Sequence, residues 1–136
     1  MPDTELLPGE RIARFLYSRS QFSSTGVKPG AFDPPPNGKL SCAHISGLSE
    51  EAVWAVARLT VTNQTGRSRV YARAELDVEA VRQQGLRAIR DDVSFPGHTT
   101  VLGWPLVGDD SRERRLEIAL NLSLAATLVR ADPPIS

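Results

Sequence analysis

Cysteine occurs once in the 136 residues, at Cys42. A single thiol excludes an intramolecular disulfide framework and a cysteine-rich zinc site. Lysine is nearly missing as well. Lys28 and Lys39 are the only two, so arginine supplies most of the 16 basic residues. No sign of charge predominates, because 16 acidic residues balance the 16 basic ones. That balance argues against a dedicated nucleic-acid binder, which carries a basic excess. Aromatic residues make up only 6%, so Leu, Val, Ile and Ala must fill most of any core. No apolar run approaches the roughly 18–20 residues that cross a bilayer. The opening Met1–Glu10 stretch has no basic segment leading into an apolar one, so no secretory signal is read there. G-x-x-x-x-G-K-[ST], G-x-G-x-x-G and G-x-S-x-G are all absent. No cofactor is expected, and no nucleophile is announced by a motif.

What is present describes one domain. Hydrophobic residues at 40% and charged residues at 24% are ordinary for a globular chain. A chain of about 130–150 residues buries roughly 68–70% of its unfolded surface, enough for a core without metal or disulfide staples. The arginine bias suits forked contacts to carboxylates or phosphates. It is equally the mark of a coding bias, since the arginines are scattered among acids.

Residues 1–9, with Pro2, Pro8 and Gly9, read as a frayed lead-in. Residues 10–17 fit both helical spacing and alternation; their aromatic content tips the reading to strand. Residues 18–39 are rich in Ser, Gly and Pro and form a long loop. Pro34-Pro35-Pro36 forces an extended path that Asn37-Gly38 closes, and Phe32 is placed to pin the loop to the core. Residues 40–46 read as a short strand. Ser49 caps a helix over about 50–59, with Glu50 and Glu51 at its positive end. Asn63 to Gly66 is a turn. Residues 68–76 alternate as a strand, with Val70, Ala72, Ala74 and Leu76 on one face and Arg69, Tyr71, Arg73 and Glu75 on the other. Asp77 caps a short helix from Val78 to Gln84, which Gly85 stops. Residues 86–90 and 98–103 are further strands, the second with Val101 and Leu102 buried. The last helix begins near Gly108–Ser111, where Asp110 and Glu113 have capping-box spacing. It stays apolar nearly all round from Leu116 to Leu128, as a central helix or half of an oligomer interface does. Residues 131–136 read as a tail. The order predicts a single α+β domain over residues 10–130, with a mainly antiparallel sheet of short strands and about three helices.

Candidate chemistry is thin. Cys42 and His44 share a strand face at i and i+2, but zinc takes three or four protein ligands and no second cysteine exists. No metal site is assigned. Ser18, Ser20 and Ser41 are possible nucleophiles only by being serines. The sharpest constellation surrounds His98, at a strand mouth with Asp91 and Asp92 just upstream. A carboxylate that orients an imidazole is a common way to build a general base. The plain alternative is a turn histidine. Arg67, Arg69, Tyr71 and Arg73 form a basic-aromatic strip that an RNA binder would use, although Glu75, Asp77 and Glu79 follow at once. For protein contacts, the candidates are Lys28 and Phe32 in the proline-rich loop, plus Trp54 and Trp104 as anchors. The plain alternative for both tryptophans is a place in the core.

Several phrases occur together: Val27-Lys28-Pro29 with Ala31-Phe32 and a proline run, Leu40-Ser41, and Gly47-Leu48-Ser49-Glu50 with Trp54. Gly85-Leu86, Pro96 with His98, and Gly103-Trp104-Pro105 follow. From about residue 10 to 128 the chain resembles a set of small bacterial proteins that share this order of phrases and have no established activity. The resemblance implies a bacterial, cytoplasmic protein and directs attention to residues 27–41 and His98. It transfers no catalytic role. The sequence therefore carries three expectations. The first is a non-enzymatic interaction module, with a protein partner or self-association through the 26–39 loop, Trp104 and the last helix. The second is a small hydrolase or group-transfer enzyme acting on an anionic substrate, with His98 as general acid/base oriented by Asp91 or Asp92. The third is a weak RNA-binding module.

Overall fold

The computed structural model describes residues 3–63, 69–105, 108 and 111–136. Among them seven strands form one antiparallel sheet: β1 (Thr4–Glu5), β2 (Arg11–Leu16), β3 (Leu40–His44), β4 (Val70–Asp77), β5 (Arg87–Arg90), β6 (His98–Leu102) and β7 (Thr127–Ile135). Their order across the sheet is β1-β5-β6-β3-β2-β4-β7. Three helices, α1 (Glu50–Asn63), α2 (Val78–Gln83) and α3 (Arg112–Ala125), complete an α+β domain. No helix among the described residues is long and apolar enough to cross a membrane.

Strand alternation gives the sheet two apolar faces, each with its own cover. On one face Ile12, Leu16, Leu40, Cys42, Ala74, Leu76, Ala88 and Val101 pack with Val78 and Val81 of α2 and Ile118 and Leu122 of α3. On the other face Ala13, Phe15, Ala43, Val70 and Ile135 meet Val53 and Ala57 of α1. Residues 18–39 are less irregular than their composition predicts. Two 3₁₀ turns, Arg19–Gln21 and Pro29–Phe32, punctuate them. Phe32 is fully buried beneath the first face, as the pin for this loop must be.

Local signals place the helices well. Ser49 Oγ accepts the Ala52 amide at the start of α1, and Asp77 Oδ1 accepts the Glu79 amide at the start of α2. Helix α1 runs on to residue 63, past the expected stop at 59. The Asn63–Gly66 turn therefore begins inside α1, and residues 64–66 lie outside the described residues. At α3 the expected capping box rests on Asp110, which lies outside the described residues; Ser111 Oγ donates back to Gly108 O and caps no amide.

Both ends of the chain depart from expectation. The lead-in is not frayed: Thr4 and Glu5 pair with Arg90 and Ile89, and Leu6 is buried, its amide donating to Ala88 O. An edge strand with one buried leucine is enough to tie down a terminus. Residues 131–136 are not a tail, and the last helix stops at Ala125. Leu128 and the residues after it form β7 along β4. Pro133 and Pro134 lie on this edge strand where the ladder slips, between the Ala72–Arg130 and Val70–Ile135 pairs. Proline is tolerated there because it owes the ladder no donor. The same slip overturns the expected faces of β4. Val70 joins the α1 face while Ala72, Ala74 and Leu76 join the other, so Tyr71 and Arg73 are on opposite sides. A β-bulge changes the parity of the alternation.

Candidate functional site

The site is made by a strand pairing between segments nearly sixty residues apart. In the β3–β6 ladder Ala43 faces His98 and Ser41 faces Thr100. Ser41 and His98 are therefore diagonal neighbours on one face, within reach of a side chain that leans along the sheet. This is the α1 face, but α1 does not extend over it. The buried cluster beneath α1 draws on β2, β3, β4 and β7 and on Phe95, with nothing from β5 or β6. The His98 and Asp91 side chains consequently keep 13% and 17% exposure.

Two polar links run through the imidazole, and a third holds the aspartate beside it. Asp91 Oδ1 lies 2.5 Å from His98 Nδ1. His98 Nε2 lies 2.8 Å from Ser41 Oγ. The other carboxylate oxygen of Asp91 accepts Thr100 Oγ1 at 2.8 Å. Burial raises the Asp91 carboxyl, but hydrogen bonds from His98, the Val93 amide and Thr100 outweigh it and hold the group below its ordinary value. An ionised Asp91 only accepts, so Nδ1 carries the imidazole proton. Nε2 is then the acceptor, and the Ser41 hydroxyl donates to it.

The loop before β6 fixes this arrangement. Asp91 and Asp92 amides both donate to His98 O. Phe95, buried under α1, presents its ring edge-on to the imidazole, 5.3 Å between centroids and 87° between planes. Asp92 and Ser94 adopt left-handed backbone, φ 54° and 75°, a conformation that costs a non-glycine residue about 1–3 kcal/mol. Asp92 itself does not reach His98. Its Oδ1 accepts the Gly97 amide at 2.7 Å and Arg90 Nε at 2.9 Å, bonds that hold its carboxyl below the ordinary range. Of the two aspartates, Asp91 orients the ring and Asp92 closes the turn.

Ser41 also lines a cavity of about 150 Å³ with Arg14, Lys39, Tyr17 and Thr60. The cavity follows from the divergence of two strands. β2 and β3 pair only at Ile12–His44 and Ala13–Ala43, and beyond that Arg14 spans the gap, donating to Ala31 O and Ser41 O. Cations on the lining suit an anionic substrate.

The remaining candidates disperse. His44 points to the opposite face from His98. Its Nδ1 is 3.0 Å from Arg90 Nη1, and its Nε2 is 3.1 Å from Glu10 Oε1 at an angle that makes no hydrogen bond. Cys42 is buried beside that face, and burial pushes its thiol up to about 11 against the pull of Arg14, so it is no thiolate near neutrality. Among the described residues no three His, Cys, Asp or Glu side chains gather as metal ligands. Phe32 is too deep to touch a partner, and Lys28 is an exposed residue before the second 3₁₀ turn. Trp54 carries the Arg73 guanidinium on its ring at 4.4 Å. Trp104 is buried and lines a cleft of about 290 Å³ with Pro34–Pro36, so loop and tryptophan do meet. The basic-aromatic strip does not hold together: Arg73 is buried against Glu50 and Glu75, Tyr71 is on the other face, and Arg67 lies outside the described residues.

The sequence gives Ser41 no more weight than Ser18 or Ser20, and nothing in it points to Thr100. No local pattern near residue 41 names a histidine at residue 98. Comparison with protein-family models, curated proteins and solved structures finds no match to this chain.

Proposed function

We propose that this chain is a small hydrolase for an anionic ester or thioester, with Ser41 as nucleophile, His98 as general base and acid, and Asp91 as the group that orients His98. The observation that carries the reading is the unbroken hydrogen-bonded line from Asp91 through His98 to Ser41, together with the cavity that Ser41 lines. In the first half-reaction Ser41 Oγ attacks the carbonyl carbon as its proton passes to His98 Nε2. Asp91 stabilises the imidazolium that forms, and His98 returns the proton to the departing alkoxide or thiolate. Water, deprotonated by His98 Nε2, then attacks the acyl carbon; the ester bond to Ser41 breaks, His98 returns the proton to Ser41 Oγ, and the carboxylic acid leaves. Arg14 and Lys39 sit where the negative charge of such a substrate enters. The cytoplasm of a bacterium is the setting the sequence phrases point to.

A fluorophosphonate probe tests this directly. Mass spectrometry of the labelled wild type is expected to find the adduct on Ser41. Ser41→Ala abolishes it, while His98→Gln and Asp91→Asn slow labelling by about 10²–10⁴ and somewhat less, respectively. A folded wild type with no adduct on Ser41 overturns the reading.

A second reading, self-association, is favoured by one observation. Leu116, Leu120 and Leu124, at i, i+4 and i+8 of α3, are 56%, 45% and 75% exposed. They form one apolar stripe about 12 Å long at 1.5 Å per residue. The occupant that fits is a second copy of α3 running antiparallel. Residues 118–125 carry no charge, so an antiparallel copy lays the charged first half of each helix beside a neutral half.

A further inference from the structure

A cleft of about 590 Å³ opens on the far side of the sheet from His98, between β4, β7 and the 19–24 segment. Its size falls in the range of ligand sites. Two arginines from distant parts of the chain line it. The Arg19 guanidinium carbon is 5.0 Å from the Tyr71 ring centroid, and that of Arg130 is 5.5 Å from the centroid of Phe22.

What separates these two arginines from the ion-paired ones is what they hold. Arg11, Arg73, Arg87, Arg90 and Arg114 each pair with a carboxylate. Among the described residues Arg19 and Arg130 have no carboxylate at ion-pair distance, and each lies on an aromatic face instead. Stacking fixes the plane of a guanidinium and leaves its N–H edge free to donate in a fork. Two such forks at one cleft bring four donors, enough to take up every lone-pair site of a carboxylate and more charge than its single negative charge balances. A phosphate, with three terminal oxygens and close to two negative charges, can use both. Ser24, exposed on the lining, adds a hydroxyl. The Asp132 carboxylate also lines the cleft. Set against two guanidiniums it leaves one net positive charge, which suits a single phosphate group. A nucleic-acid strand needs a longer basic track, and the chain as a whole has zero net charge.

We propose that this cleft binds a phosphate group, free or as the monoester of a small molecule, through Arg19 and Arg130. The site is separate from the Ser41–His98–Asp91 line and stands whether or not that line is catalytic.

The test is an NMR titration that follows the arginine Nε–H signals of ¹⁵N-labelled protein. The ligands are inorganic phosphate, phenyl phosphate, acetate and a short single-stranded RNA. Saturable shifts of Arg19 and Arg130 with a phosphate ligand are expected, with Arg19→Gln and Arg130→Gln each weakening binding at least about tenfold. Both substitutions are on exposed side chains and leave the thermal midpoint near that of the wild type. Arg87→Gln, which removes a cation paired to Glu5 elsewhere on the sheet, leaves the affinity unchanged. Tighter binding of phenyl phosphate than of inorganic phosphate assigns the monoester as the source, and the reverse assigns the free anion. No saturation, equal binding of acetate, equal weakening by Arg87→Gln, or shifts produced by the RNA alone each overturns the proposal.

Discussion

The chemistry of the site depends on how single carboxylates are wired. Asp91 accepts bonds from an imidazole, a backbone amide and a threonine hydroxyl, and these favour its charged form over the cost of burial. A carboxyl whose value falls on folding contributes stability above its unfolded value, about 3.9. It loses that contribution as the pH drops through the lower folded value. Wild type is therefore more stable than Asp91→Asn at neutral pH, and the gap narrows in strong acid. Urea midpoints of both proteins across that range check this. A gap that does not change with pH means that the charge of Asp91 contributes nothing to the fold.

At the scale of elements, one arginine locks α1 to the sheet. Arg73 on β4 is 3% exposed. Its Nη1 and Nη2 donate to both oxygens of Glu50 at 2.8 and 2.6 Å, its Nε donates to Glu75 at 2.7 Å, and its guanidinium lies over Trp54 of α1. Two hydrogen bonds and a ring thus fasten the first turn and a half of α1, while Glu75, on the same strand as Arg73, holds the guanidinium in place. Removing a buried partner costs about 3–5 kcal/mol because it strands the charges left behind. Arg73→Met approaches that loss. Glu50→Gln costs less, since the Glu50 side chain is 60% exposed and water can replace part of the lost pairing. Chemical unfolding of the two variants tests the ranking, and equal losses contradict it. The partial alternation of residues 68–76 predicts a strand with Arg73 on the same face as Tyr71. The bulge opposite β7 reverses that. Nothing in the β4 residues themselves announces a bulge, because its cause is the register against a strand sixty residues later.

At the scale of the whole molecule, the helix that looked apolar on every side turns out to have two distinct faces. Ile118, Ala119 and Leu122 are buried, while Leu116, Leu120 and Leu124 face outward. If a second copy covers that stripe, light scattering behind gel filtration gives a mass near twice 14.8 kDa, and Leu120→Glu returns it to the monomer with helix content intact. A wild type that runs as a monomer at every concentration removes the self-association reading. The two readings of function occupy different surfaces, so the masses and the serine probe judge them independently.

The sequence by itself determined the local pieces: the helix starts at Ser49 and Asp77, strands within 10–17, 40–46 and 98–103, the burial of Phe32, and the α+β class. Caps, alternation and apolar spacing act within a few residues, so they can be read along the chain. It also placed a histidine beside a carboxylate, because Asp91 and His98 stand at the two ends of one short connection. The tertiary structure alone decided that Ser41 completes the line, that His44 is on the far face, that both termini become edge strands, and that Arg19 and Arg130 line one cleft. Each of these depends on which strands pair and in what register. Pairing joins residues tens of positions apart through backbone hydrogen bonds common to every sequence, so the residues involved carry no local mark of their partners.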